Sequence, residues 1–250
     1  MEKQRFLDAC NRVSETKKEY RQIGTLGEKT LHAVVKHYIE PDVTKHEIKI
    51  GSFHADIVND NGIFEIQTRS FNTLRKKLPC FLTLSPVTIV YPLPKTKWLL
   101  WIDKQTGEVS KKRKSPKSGR IYDAVHELYK IRPLLIHPDL KLHIVFIDVE
   151  EYRYLDGWSE DKKRGSSRYE RHPVEIVEEV FINSKADYLQ FIPDNLPEQF
   201  TTKDYKQAAK VNLSTSQTIL NILNHIGTVK RTGKKGNLHI YERNIFCINK

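Results

Sequence analysis

The sequence predicts an α/β protein: a mixed sheet flanked by helices, then a small C-terminal unit of two helices and a basic β-hairpin. Three patterns predict it. Apolar and polar residues alternate through Phe53-His54-Ala55-Asp56-Ile57-Val58 and again through Ile63-Phe64-Glu65-Ile66-Gln67-Thr68, either side of Asp60-Asn61-Gly62, as in a hairpin with one apolar face. Residues 87–91 and 142–149 are short, almost wholly apolar runs of the kind buried inside a sheet. Apolar residues near the N-terminus, and again beyond Phe200, recur at helical spacing.

Taken in order, residues 1–20 read as a polar helix with Phe6, Ala9, Cys10 and Val13 on one stripe. A second helix is expected over 26–40. Leu31, Val34, Val35, Tyr38 and Ile39 form its apolar side, Glu28 sits in its first turn, and Pro41-Asp42 ends it. Strands are expected at 46–50, 53–59 and 63–68, then a short basic helix, Thr73-Leu74-Arg75-Lys76-Lys77-Leu78, leading toward Pro79. Residues 87–91 and 98–102 read as two strands, 121–131 as a helix, 142–149 as a strand and 173–181 as a helix. Pro193 and Pro197 mark a junction, dividing the chain into domains 1–195 and 196–250. Thr201 or Thr202 caps a helix through Ala209. Ser214-Thr215-Ser216-Gln217 has capping-box form and opens a helix that turns Ile219, Ile222, Leu223 and Ile226 inward and stops at Gly227. Residues 229–232 and 238–243 flank Gly233-Lys234-Lys235-Gly236 as a hairpin with a basic tip.

Composition narrows the class. The chain has 250 residues, is 38% hydrophobic, and carries a net charge of +11. No run of about 18 apolar residues exists to span a membrane, and the Met-Glu-Lys-Gln-Arg start is not a signal peptide. Cys10, Cys80 and Cys247 show neither zinc spacing nor a disulfide framework, so a reduced cytoplasmic setting is expected. A phosphate polymer is the expected partner of so basic a chain, because Lys and Arg displace its condensed counterions. The cations cluster in three places: 200–250, Lys111-Lys112-Arg113-Lys114 with Lys117 and Arg120, and Lys162-Lys163-Arg164 with Arg168 and Arg171.

The hairpin holds the candidate chemistry. With Asn61-Gly62 as the loop, Asp56 lies opposite Gln67; with Asp60-Asn61, it lies opposite Glu65. Either register puts Asp56, Glu65 and Gln67 on one face, and Ile57, Phe64 and Ile66 on the other. Two carboxylates side by side suit Mg²⁺, which takes one or two of them and completes its shell with water and phosphate oxygens. The competing reading is a solvated polar face of an antiparallel sheet.

A helix with an acid, a three-stranded meander and Asp-x8-Glu-x-Gln on a hairpin together resemble the PD-(D/E)XK nuclease superfamily, over roughly 26–91. The resemblance implies a restriction-endonuclease-like mixed sheet, Mg²⁺ or Mn²⁺ as cofactor, and DNA phosphodiester hydrolysis. It implies Asp56 and Glu65 as metal ligands, the Ile66 carbonyl as a further ligand, and Glu28 as the helix acid. Gln67 stands where the family usually has Lys. Gln can hold a water or a phosphate oxygen but supplies no charge, so Arg69, Arg75 and Lys76 are candidates for the displaced cation. His54 shares the Asp56 face and ranks low as a base or ligand.

Residues from about 200 onward resemble a winged helix-turn-helix domain. The resemblance implies that exposed Thr215, Gln217, Thr218 and Asn221 face the major groove, while Lys230, Arg231, Lys234 and Lys235 meet phosphates. The competing reading is a module that packs on the first domain or on another protein. The expected function is a metal-dependent DNA endonuclease whose partner is DNA and not a membrane, with a homodimer left open. A non-catalytic DNA-binding protein or regulator on a degenerate nuclease fold is the alternative. There is no Walker-type glycine loop, zinc constellation or Gly-x-Ser-x-Gly elbow.

Overall fold

The computed structural model describes residues 2–20, 30–156 and 167–244. The stripe Phe6, Ala9 and Val13 builds helix α1 (Glu2–Tyr20), which packs on α2 (Thr30–Ile39) through Leu31, Val34, Val35 and Tyr38. β1 (His46–Ile50), β2 (Phe53–Asn59) and β3 (Gly62–Ile66) follow as an antiparallel meander. α3 (Leu74–Leu82) connects β3 to β4 (Val87–Ile102), which lies parallel to it. The short β5 (Arg113–Lys114) pairs with β4, and α4 (Val125–Lys130) precedes β6 (Leu140–Tyr154), parallel to β4. β7 (Ser167–Ile182) returns antiparallel, giving the order β1-β2-β3-β4-β6-β7.

Helices cover both faces, which is why the inner strands read as apolar runs. Ile57, Ile66, Val90, Val145 and Ile147 pack toward α1 and α2. Ile63, Val87, Ile89, Leu142 and Ile144 pack toward α3 and α4. The expected mixed α/β architecture is present.

The chain then forms β8 (Gln199–Thr201), α5 (Thr202–Ala209), α6 (Leu213–Ile226), β9 (Val229–Lys235) and β10 (Leu238–Arg243), with sheet order β8-β10-β9. Thr201 caps α5 in a capping box with Asp204, and Gly227 ends α6 in the left-handed conformation. This unit shares its core with the rest of the chain across residue 196. Phe200, Tyr205, Ile219, Leu220 and Leu223 belong to the same apolar cluster as Val125, Leu128 and Phe191. Arg120 adds a polar tie, donating to the carbonyls of Ala209 and Lys210 at 2.8 and 2.9 Å.

Several elements differ from expectation. Residues 173–181 lie in strand β7, not in a helix. The register with β6 skips Val177, a bulge that turns Ile176 toward α1 and α2 but Val180 toward α3 and α4. That bulge breaks the period-2 alternation and leaves an i, i+4 spacing that imitates a helix. Pro173 is tolerated because β7 is an edge strand. Residues 87–102 form one strand through Pro92 and Pro94. Val90 O accepts from Gln67 N–H at 2.9 Å, so even-numbered residues of β4 turn their backbone groups toward β3. Because β3 ends at Ile66, both prolines face a side with no ladder to complete. α3 likewise runs on through Pro79. α6 starts at Leu213, capped by Asn212, whose side chain accepts from Thr215 N–H at 2.7 Å; Ser214 is not the cap.

Candidate active site

The pairs Ile57↔Phe64, Val58↔Ile63 and Asn59↔Gly62 put Asp60-Asn61 at the hairpin tip; the ladder ends at Ile57, and Asp56 and Glu65 follow it on the two strands. The left-handed demand falls on Gly62, at φ +116°, and not on Asn61. A Cβ at Gly62 would also lie 2.4 Å from the Pro86 carbonyl oxygen, so only glycine fits there.

Glu65 is fully buried, at 0% exposure. Its register neighbour Ile63 faces α3, and from that helix the Lys77 ammonium lies against Glu65 Oε2 as an ion pair. Among the described residues, neither carboxylate oxygen meets an aligned hydrogen-bond donor. Burial, reinforced by the negative charge of Asp56 and offset only in part by Lys77, pushes the Glu65 carboxyl up to about 7. Asp56 goes the other way. Burial opposes its ionisation, but His32, the Ile66 N–H and Lys77 together hold its carboxyl below the usual range. The Ile66 amide donates to Asp56 Oδ2 at 2.7 Å, and His32 Nε2 of α2 lies 3.3 Å from the same oxygen. Two adjacent carboxylates are thus pushed apart in acidity, as functional pairs commonly are.

Gln67 is half-buried just past β3, with its amide bonded to Val90 O and its side-chain oxygen 3.4 Å from the Thr73 hydroxyl. The cation beside the carboxylates is Lys77, not Arg69, Arg75 or Lys76, which are all exposed. Its signal was present in the sequence: Leu74, Lys77, Leu78 and Phe81 form one helical stripe, so Lys77 is the basic residue that α3 turns inward. His32 was also missed, although it falls four residues after Glu28 on the expected helix. His54 is exposed and pairs across to Lys49. Glu28, like Lys162, Lys163 and Arg164, lies outside the described residues.

No group of three or more His, Cys, Asp or Glu among the described residues could hold a metal ion. The donor set is therefore Asp56 and Glu65, with the Ile66 carbonyl on the same strand. It fits a hard divalent cation that takes few protein ligands, because Glu65 is a buried carboxylate without aligned donors beside a second, ionised one.

In the C-terminal unit, Gln217 is exposed and Thr218 half-buried, its hydroxyl donating to Ser214 O at 2.9 Å. Asn221 is exposed but accepts from Arg132. Thr215 departs from expectation. It is buried, with its hydroxyl 3.3 Å from His126 Nε2, because α6 packs this flank on α4. Lys230, Arg231, Lys234 and Lys235 are exposed on β9.

The architecture defines a mixed α/β protein in which Lys77 of α3 meets buried Glu65 of the meander, with half-buried Asp56 beside it. The chain belongs to a family described as a domain of unknown function, DUF8091, whose match spans residues 29–183. That span takes in Asp56, Glu65 and Lys77 and stops short of the C-terminal unit. A relative described as an uncharacterized protein, from Treponema pallidum (strain Nichols), is 30% identical over 192 residues, covering 74% of this chain and 74% of its own. No solved structure matches. Among the described residues, no helix is long and apolar enough to cross a membrane.

Proposed function

We propose that this protein is a metal-dependent deoxyribonuclease of the PD-(D/E)XK type, and that Lys77 supplies the charge that Gln67 lacks. The observation that carries the reading is the Lys77 ammonium against buried Glu65, with ionised Asp56 on the neighbouring strand. Asp56 and Glu65 would hold Mg²⁺ or Mn²⁺, with the Ile66 carbonyl as the further ligand; the ion, when bound, lowers the pKa of a water and neutralises phosphate charge. Asp56 stays ionised across the physiological range because its surroundings favour the anion. Glu65 is poised to gain or lose a proton near neutrality. Lys77 is anchored on one side by Glu65 and can direct its remaining N–H groups at a phosphate oxygen or the attacking water. Gln67, steadied by Thr73, orients that same oxygen or water without adding charge. The C-terminal unit acts as a winged helix, with Gln217, Thr218 and Asn221 toward bases and the β9 cations on phosphates.

Plasmid and single-stranded DNA are incubated with Mg²⁺ or Mn²⁺ beside Asp56→Ala, Glu65→Ala and Lys77→Ala variants. Metal-dependent cutting that each variant loses is expected. No cutting by the parent protein, or cutting that the Asp56 and Glu65 variants retain, overturns the proposal. A second reading, a non-catalytic DNA-binding protein or regulator, draws on the same pair, since Lys77 neutralises Glu65 with no metal at all. DNA binding without metal-dependent cutting selects it.

A further inference from the structure

We propose that one face of the β4–β6–β7 ribbon is a track for the phosphate backbone of duplex DNA, leading away from the Asp56–Glu65 site. The inference takes its substrate from the nuclease reading but rests on other residues. β3 ends at Ile66, whereas β4 and β6 continue to Ile102 and Tyr154 and β7 starts back at Ser167. A ribbon therefore projects past the strand end that carries Glu65.

The register of this ribbon gathers charge on one face. Lys97 lies opposite Val149, Leu99 opposite Glu151, and Trp101 opposite Arg153. Glu151 lies opposite Arg171, Arg153 opposite Arg168, and Leu99 opposite Arg113 on β5. Paired residues share a face, so Lys97, Arg113, Arg153, Arg168 and Arg171 lie on the same face as the carboxylate of Glu151. That carboxylate is fully buried and already engaged: Arg153 Nε donates to Oε1 and Arg171 Nε to Oε2, each at 2.7 Å. Among the described residues, no carboxylate lies within ion-pair distance of Lys97 or Arg168. Burial, then the positive charges of Arg171, Arg153 and Lys117, hold the Lys97 ammonium below its ordinary range against the pull of Glu151. Such crowding costs free energy unless an anion fills it.

One tie connects the face to the site: Arg69, two residues past Gln67, is close enough to Arg168 to repel it.

The test measures binding of the full chain to a fluorescein-labelled duplex, and to its single strand, by anisotropy in EDTA over a range of salt. Lys97→Gln with Arg168→Gln should weaken duplex binding roughly tenfold and reduce the log–log salt slope by about 1.8, near 0.9 per phosphate contact. The Lys97→Arg, Arg168→Lys variant should retain both, and an unchanged Tm for all three proteins shows that folding is not the cause. An unchanged affinity and slope in the Gln variant, tighter binding of the single strand, or no binding by the parent protein overturns the track. Loss of binding in the Gln variant of a parent that never cuts DNA supports the track while removing the nuclease reading.

Discussion

Glu65→Gln should make the metal-free protein more stable above neutral pH. An acid whose folded-state pKa is raised binds its proton more tightly folded than unfolded. Its stabilising proton is fully present below the unfolded value of 4.5 and is lost as pH rises through the folded value of about 7. The difference, at about 1.4 kcal/mol per pH unit, is a penalty of about 3 kcal/mol on the ionised site above neutrality. Glu65 is 0% exposed, so water does little to reduce it. Gln preserves the shape and never ionises. Lys77 loses its partner, but its side chain is 18% exposed and keeps a route to water. Thermal unfolding from pH 4.5 to pH 8 in EDTA is the assay. At about 2–4 °C per kcal/mol for a chain of this size, the variant should exceed the parent by roughly 6–12 °C at pH 8 and converge on it near pH 4.5. Parallel curves across the range, or a less stable variant at pH 8, refute the reasoning. Mg²⁺ should raise the parent's Tm at pH 8 and leave the variant nearly unmoved, since ligand stabilisation requires the site.

Lys77→Met removes the charge that partly offsets the Glu65 burial penalty, so the pH at which metal-free stability is lost should move upward, seen in the same unfolding series. Gly62→Ala combines φ +116° with a contact of 2.4 Å to Pro86 O and should cost about 2 kcal/mol or more in urea denaturation. Lys234→Gln with Lys235→Gln should lower the salt slope of DNA binding by about 1.8 without changing Tm, because both side chains are exposed on β9. These substitutions probe the β9–β10 hairpin better than removal of residues 196–250, which would uncover Val125, Leu128 and Phe191.

The parts of the fold that could be read in advance are those where local periodicity and burial agree. α1, the meander and the inner strands are of this kind, since each presents an uninterrupted apolar face. β7 was misread because a bulge at Val177 gave a strand the spacing of a helix. The prolines of β4 hid one long strand as two, because their tolerance depends on where β3 stops. At the site, the closeness of Asp56 and Glu65 across the hairpin was legible, but the register of that hairpin was one of two.

By itself, the sequence determined that Asp56 and Glu65 are neighbours across one hairpin, that the chain is strongly basic, and that helices flank a mixed sheet. These follow from the two-residue repeat of a strand, the 3.6-residue repeat of a helix and a count of charges. Only the tertiary structure decided that Lys77 pairs with Glu65, that His32 meets Asp56, that Thr215 is buried against His126, and that Arg171 reaches Glu151. Those contacts join elements distant in sequence. Electrostatic interaction depends on separation and burial in space, and neither can be read from spacing along the chain.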